Sequence, residues 1–413
     1  MAAAPAIAFR VFGCRLNQAE AAAWQAALAA RGFPIVPPEA ADVLCLHSCA
    51  VTATAEHEAA KFLRTFRQRH PATRIILSGC AAELAPHAWA DLVLPHARKA
   101  QWLDETLAFL ATLRPTPAPP VNPPPPPRAK TRATLIIQDG CDRFCAYCIV
   151  PHLRGAPTSV PMRTLLAEAR ERFARGYREI VLTGCHLALY RDPESGAGLL
   201  DLLARLCDLP GEGRLRLSSI EPGVVDLRAL ARLIAQSDGR LCPFLHLPIQ
   251  SAADGLLARM GRPYSERDLR ASLDAILDAL PFCGLGADWI AGLPGESEAD
   301  AAASQRLLAD YPFLGAHIFP YSPRPGTPAA TFPDQLPPDL RQRRAAALAA
   351  IAAESRLRAQ TRFLGRTLIV IPERLRNGTW EGWSAERLRC RLGPNATRGA
   401  LTPFRPTSLT DFL

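Results

Sequence analysis

The chain has 413 residues, 48% of them hydrophobic, and a net charge of +9. That length exceeds the roughly 250–300 residues at which one hydrophobic core stops growing, so two large units and a small third are expected. No apolar run approaches the ~20 residues that span a bilayer, and residues 1–8 lack the basic start of a secretory leader, so the reading excludes a membrane protein and expects a cytoplasmic one.

Twelve cysteines in a long chain of this kind point to a reducing compartment, where clustered thiols bind metal or do chemistry rather than form disulfides. From residue 340 onward 14 arginines face 5 acids, while the rest of the chain balances at 34 basic against 34 acidic residues. A basic end reads as an RNA-facing surface or as a solvated Arg-rich helix.

Residues 7–12, 43–47 and 74–78 read as strands and 18–30 and 54–70 as helices, the alternation of a parallel-sheet α/β domain. Cys14, Cys49 and Cys80 each follow one of these strands. In a parallel sheet the strand C-termini share an edge where ligand sites form, so three cysteines separated by 35 and 31 residues converge there. Each of them alone reads equally well as a small buried hydrophobe. Pro115, Pro117, Pro119, Pro120 and the run Pro123 to Pro127 make 114–132 a stiff polyproline linker.

After the linker the strand-helix rhythm resumes, with strands at 135–138, 179–183, 215–218, 244–248, 286–290 and 316–319. Six parallel strands form an open sheet or a partial barrel, with the chemistry in the loops that follow them. An Ala/Arg-rich helix is expected over 340–362. A short strand-like tail begins at 367 and is long enough for a small β-barrel of a kind that binds RNA.

Directly after the first strand of the second unit stands Gly140-Cys141-Asp142-Arg143-Phe144-Cys145-Ala146-Tyr147-Cys148. Structural zinc sites usually close four ligands in paired C-x-x-C arms, whereas this spacing supplies three thiolates from one loop. Three thiolates on a 4Fe-4S cluster leave one iron open. An open iron can chelate the amino and carboxylate groups of S-adenosylmethionine and pass an electron to its sulfonium. A zinc or purely structural cluster is the alternative. With an aromatic residue just before its last cysteine, the motif resembles the signature of the radical S-adenosylmethionine superfamily.

The resemblance extends along nearly the whole chain. Phe12-Gly13-Cys14-Arg15-Leu16-Asn17-Gln18, Ser48-Cys49-Ala50-Val51-Thr52 and Ser78-Gly79-Cys80-Ala81 are similar to the three cysteine-bearing segments of the methylthiotransferase family. Segments 148–155, 217–222, 246–251 and 291–296 match as well, and similarity weakens after about Arg366. The resemblance implies an N-terminal methylthiotransferase domain over 1–113, the linker over 114–132, a radical S-adenosylmethionine partial (β/α)6 barrel over 133–362 and a divergent TRAM-like RNA-binding β module over 363–413. It also implies two 4Fe-4S clusters. One would be held by Cys14, Cys49 and Cys80 as sulfur carrier; the other, held by Cys141, Cys145 and Cys148, would cleave S-adenosylmethionine. A tRNA partner and an external electron donor such as flavodoxin or ferredoxin follow from the same likeness.

Gln250, Glu221 and His186 lie just past strand ends, where they can hydrogen-bond cofactor or substrate or simply be solvated, and Gly292 and Gly295 let backbone approach an adenosyl group. Ala156, Ala252 and Trp289 depart from the family's pattern and are expected to narrow the cofactor pocket. Cys185 reads as a buried thiol near the site. Cys45, Cys207, Cys242, Cys283 and Cys390 show no ligand spacing and are assigned to packing.

Three substrate branches stay open. Arg15-Leu16-Asn17-Gln18, Gln138-Asp139-Gly140 and Ser218-Ser219-Ile220-Glu221-Pro222 look most like the branch acting on N6-threonylcarbamoyladenosine beside the tRNA anticodon. The isopentenyladenosine branch and the branch modifying a ribosomal-protein aspartate usually differ there. An iron-sulfur RNA-binding protein without catalysis is the reading from another class.

Overall fold

The computed structural model describes residues 4–51, 53–84, 89–113 and 131–413. Of the expected linker only Thr131 and Arg132 are among them, and Arg132 already opens a strand. No helix among the described residues is long and apolar enough to cross a membrane.

The first unit runs β1 (Ile7–Val11), α1 (Arg15–Ala29), β2 (Val43–His47), α2 (Ala53–Arg69), β3 (Arg74–Ser78), β4 (Leu92–Leu94) and α3 (Trp102–Ala111). Its four strands lie in chain order, all parallel, with Ile7 opposite Val43 and Val43 opposite Arg74. Every residue of β2 is buried because both faces are covered. Val43 and Cys45 pack toward Trp24, Leu28 and Trp102, while Leu44 and Leu46 pack toward Leu63 and Phe66. β4 and α3 are additions to the sequence reading.

The second unit comprises β5 (Arg132–Ile136), β6 (Gln138–Asp139), α4 (Val150–Arg154), β7 (Thr158–Ser159), α5 (Met162–Ala174), β8 (Glu179–Thr183), α6 (Leu199–Cys207), β9 (Arg214–Leu217), α7 (Leu227–Gln236), β10 (Phe244–Gln250), α8 (Asp254–Met260), α9 (Glu266–Ala279), β11 (Gly284–Ala291), α10 (Glu298–Asp310), β12 (Phe313–Pro320) and α11 (Pro338–Thr361). Strands β5, β8 and β9 pair in parallel, as do β10, β11 and β12. Parallel bridges Leu215–Leu241 and Ser219–His246 join the two triplets into one six-stranded series in chain order. Leu135, Leu182, Leu215, Leu247, Ala287 and Trp289 point to the helical layer and form the main core. Many of the intervening positions, among them Glu179, Arg216, His246, Asp288 and His317, are polar, while others such as Val181, Phe244 and Ile290 are not. Trp289 is fully buried against that helical layer and meets Phe313 edge-on. It therefore does not narrow the cofactor side, which corrects the expectation from its bulk.

The third unit is an antiparallel sheet, β13 (Leu368–Arg376), β14 (Thr379–Ser384), β15 (Arg389–Leu392) and β16 (Thr402–Phe404), in the order β15-β14-β13-β16. It closes the N-terminal end of the six-stranded series. Arg214 donates to the carbonyls of Ile369 and Trp383, and Arg216 to those of Ser384 and Ala385. The same two guanidiniums clasp the fully buried Glu179 carboxylate at 2.7–2.9 Å. Removing that charge strands two buried cations. Glu179→Gln is therefore expected to cost about 3–5 kcal/mol, read as a lowered denaturant midpoint for the second and third units; an unchanged midpoint would show that the arginines are satisfied by carbonyls alone.

Candidate active site at the interface of two units

Each site cysteine sits where a strand ends. Cys14 caps α1 and is followed by a helix that starts within one residue. Cys49 follows β2 by two residues and Cys80 follows β3 by two. Gly13, at φ +115°, permits the convergence: a Cβ there would lie 2.3 Å from the Cβ of Cys49. Burial first, and then the neighbouring thiols, raise the pKa values of Cys14 and Cys80: Cys49 acts on Cys14, and Cys14 and Cys49 act on Cys80. The second set, Cys141, Cys145 and Cys148, occupies the loop between β6 and α4, and its members interact in the same way. Gly140, at φ +73°, lets this loop fold onto the carbonyl of Ala156, with no room for a side chain. Phe144 takes a positive φ of 43° inside the loop and is 58% exposed.

Burial pushes the Cys80 thiol up to about 11 and the Cys148 thiol up to about 12. Thiols held so high become ligands only when a cation supplies the compensating charge. A single zinc ion with Zn–S near 2.3 Å would draw its sulfurs to within about 3.8 Å. Among the described residues, the triads of ligand atoms within 4.8 Å of one another are His246–Asp288–His317 and Glu20–His96–Asp139, with no cysteine in either. The wider spacing of the six thiols fits a multi-iron cluster better than one ion.

What brings the two sets together is α4, the helix that begins two residues after Cys148. Its face packs Ile149 and Leu153 against Ala50 and Cys80. Its last residue, Arg154, is almost wholly enclosed and makes five hydrogen bonds, four of them across the interface and one to Asp139 of its own unit. Its Nε donates to the Sγ of Cys80 at 3.1 Å; Nη1 donates to Glu20 at 2.9 Å and Asp139 at 2.8 Å; Nη2 donates to Glu20 at 2.9 Å and Asn17 at 3.0 Å. Lys99 bridges the same two carboxylates at 2.5 and 2.6 Å, and His47 adds a contact to Glu20 at 3.2 Å. Burial alone would raise Glu20 and Asp139, yet these partners hold both carboxyls well below the usual range. A second tie joins Arg324 to Glu56 at 2.5 Å. Cys185 donates to Asp139 at 3.3 Å and so borders this network without joining either cysteine set.

Of the second-tier residues, Glu221 and His186 stand beside the Cys141 loop. His186 Nε2 meets Glu221 at 2.5 Å, Arg262 reaches the same carboxylate at 2.9 Å, and Arg143 of the motif lies 3.6 Å away. Burial opposes ionisation of Glu221, but His186 and Arg262 outweigh it and hold the carboxyl down to about 2. Gln250 ends β10 with a positive φ of 69° and is buried. Gly292 and Gly295 have a different reason to lack side chains. A Cβ on Gly292 would strike Arg341 at 2.6 Å, and one on Gly295 would strike the Arg259–Asp334 ion pair at 2.0–2.3 Å. These close approaches to protein account for glycine at both positions.

Two family models match the chain: the radical SAM superfamily over residues 135–308 and a family described as uncharacterized protein family UPF0004 over 6–94. A threonylcarbamoyladenosine tRNA methylthiotransferase, MtaB, from Thermotoga maritima is 32% identical over 377 residues, covering 89% of this chain and 86% of that protein. The chain belongs to the radical S-adenosylmethionine methylthiotransferase family. Within it, a tRNA-2-methylthio-N(6)-dimethylallyladenosine synthase of Acidithiobacillus ferrooxidans is 34% identical over 363 residues, covering 82% and 80% of the two chains. Among solved structures, the radical S-adenosylmethionine methyltransferase TsrM of Kitasatospora setae, with cobalamin and a 4Fe-4S cluster bound, matches at a TM-score of 0.57 with 14% identity, over 85% of this chain and 91% of that one. At that identity the likeness extends to the fold. A radical S-adenosylmethionine family member uses a 4Fe-4S cluster and S-adenosylmethionine, and the Cys141 loop is the part of this family fold that fits them here.

Arg154 is the residue that sequence reasoning passed over, although it stands in a matched segment six positions after Cys148. Arg154→Ala leaves Glu20 and Asp139 buried with fewer cations, a change of about 3–5 kcal/mol. Hydrogen exchange should accelerate in α1 and in α4 together, while the third unit keeps its protection. Unchanged exchange in α1 would mean that apolar packing alone joins the units.

Proposed function

We propose that the chain is a tRNA methylthiotransferase that converts N6-threonylcarbamoyladenosine to its 2-methylthio derivative, using two 4Fe-4S clusters. The observation that carries this reading is the docking of α4: the helix leaving the Cys141 loop packs directly on the loops of Cys49 and Cys80, so both cysteine sets open on one interface. Cys14, Cys49 and Cys80 would hold the sulfur-carrying cluster, and Cys141, Cys145 and Cys148 the other. When bound, a cluster with an open iron supplies the electron that cleaves S-adenosylmethionine to a carbon radical, which is what an unactivated aromatic C–H requires.

The remaining work falls to the chain itself. His186, Glu221 and Arg262 form a buried polar wall beside Cys145 that can orient a cofactor carboxylate or ribose. Gln250 stands at the end of the neighbouring strand with its amide uncommitted among the described hydrogen bonds. Val51, two residues after Cys49, and Phe144, inside the Cys141 loop, are 47% and 58% exposed, apolar side chains against which a flipped purine could pack. Reduction would come from an external donor such as flavodoxin or ferredoxin. The division of labour would follow the units, 1–113 for the sulfur carrier, the barrel up to 362 for radical chemistry and 363–413 for RNA.

The likeness to MtaB supports the threonylcarbamoyl substrate, and the dimethylallyl synthase keeps the isopentenyl substrate as the competing outcome. Mass spectrometry of tRNA nucleosides from cells lacking the protein distinguishes them by which methylthio nucleoside disappears. Anaerobic reconstitution should load about eight irons per chain and Ala substitution of Cys141, Cys145 and Cys148 about four; a wild-type chain saturating at four would refute the second cluster.

The third unit would position tRNA through exposed arginines such as Arg374 and Arg376 on β13. Because Arg214 and Arg216 lean on its carbonyls, substitution rather than deletion isolates that role. Arg374→Glu with Arg376→Glu should weaken tRNA binding and flatten its log–log salt slope by about 0.7–0.9 per lost phosphate contact. An unchanged slope would mark these arginines as solvated surface.

A further inference from the structure

Glu20–His96–Asp139 and His246–Asp288–His317 offer the same kinds of ligand atom in opposite surroundings. In the first, Lys99 and Arg154 sit on both carboxylates at 2.5–2.9 Å, so the chain itself supplies the cations. In the second, Asp288 makes no ion pair with a lysine or arginine among the described residues. Its Oδ1 instead meets Nε2 of His246 at 2.8 Å and Nδ1 of His317 at 3.0 Å. Arg214 and Arg216, which share its face of the sheet, are held by Glu179 and by main-chain carbonyls, and Arg15 acts on Asp288 through space without an ion pair. Burial opposes ionisation of Asp288, yet the two imidazoles hold its carboxyl well below the usual range, so it is an anion.

Strand register builds this cluster. Gly286 of β11 lies opposite His246 of β10, and Asp288 lies opposite His317 of β12. Alternate residues of a strand share a face, so all three side chains point away from the helical layer into which Leu247, Ala287 and Trp289 pack. Gly286 keeps the place open, since a Cβ there would lie 2.6 Å from Nδ1 of His246 and 2.9 Å from the Phe244 ring. The three ligand atoms lie within 4.8 Å of one another, and neither cysteine set contributes to them. Two ligands about 2.1 Å from one ion and at right angles to each other are about 3.0 Å apart, which is the spacing of Oδ1 from each nitrogen. Two imidazoles and a carboxylate on one side of an ion form a facial set that leaves its other positions open. His317 is 67% exposed, which gives an ion and its water access from solvent.

We propose that His246, Asp288 and His317 bind one divalent transition-metal ion through Nε2, Oδ1 and Nδ1, with water in its remaining positions. The site is separate from the iron-sulfur clusters and does not depend on which substrate the chain modifies. Two nitrogen ligands select a zinc- or iron-like ion over magnesium or calcium, which prefer an all-oxygen shell. The ion carries the balancing charge that Arg154 and Lys99 carry at the other cluster, and it joins β10, β11 and β12 through one point on the face opposite the helices.

The test uses the full chain with its clusters reconstituted anaerobically, dialysed against Zn2+ and then against buffer with excess Mg2+. Wild type should retain about one zinc per chain with its iron content unchanged. The zinc X-ray absorption edge, which iron does not mask, should show nitrogen and oxygen neighbours at about 2.0–2.2 Å and no sulfur at about 2.3 Å. His317→Ala removes an exposed side chain and Asp288→Asn keeps the shape of a buried one. Each should weaken zinc binding by more than the about 10- to 100-fold that loss of an outer-shell partner costs, with iron content unchanged, while His96→Ala leaves zinc in place. No zinc retained by wild type, displacement of the zinc by Mg2+, or sulfur in its shell would each overturn the proposal. Zinc that survives in His317→Ala and is lost in His96→Ala would overturn it in favour of the Glu20 cluster.

Discussion

One guanidinium, that of Arg154, connects the radical loop to the auxiliary cysteines. It reaches a sulfur, two carboxylates and an amide from a single fixed plane, which a lysine, as a point charge, does not reproduce. Because α4 leaves the Cys141 loop at once, placing Arg154 also places that loop. Because Glu20 and Asn17 lie on the helix that Cys14 caps, the same contact sets the distance of the auxiliary set. Lys99 supplies a second cation to the two carboxylates, so the buried group is nearly charge-balanced and the desolvation of each ion is offset by its neighbours.

The rest of the architecture keeps this interface rigid by separating apolar from polar faces. Alternation along β8 to β11 sends most Leu side chains to the helices and Glu179, Arg214, Arg216, His246 and Asp288 to the other face. The third unit then closes the N-terminal end of the series, with main-chain carbonyls to Arg214 and Arg216 and with the Glu373 carboxylate to Arg132.

How much of this was legible in the sequence depends on the range of the signal. Buried parallel strands are continuous apolar runs, so 43–47, 74–78 and 179–183 are read to the residue. β4 escaped because three residues carry no periodicity. The six cysteines were readable because each set is announced by local features, a strand end or a three-cysteine loop. Arg154 was not, since its partner Glu20 is 134 positions away and only docking of the units brings them together. Trp289 was misjudged for a related reason: a strand residue's face is a matter of parity, and one position decides between cofactor side and helical layer. Gly292 and Gly295 look the same in sequence whether a ligand or an arginine fills the space above them.

The placement of positive charge ties these points together. Each of the two cysteine loops has a guanidinium beside it, Arg154 at Cys80 and Arg262 near Cys145, placed to offset the charge of thiolates held there. Both of those arginines are shared with carboxylates, Glu20 and Asp139 in one case and Glu221 in the other, so neither is free to capture substrate. The positive charge beside both cysteine loops is thus committed to protein carboxylates, which fixes each guanidinium in place before any cofactor arrives.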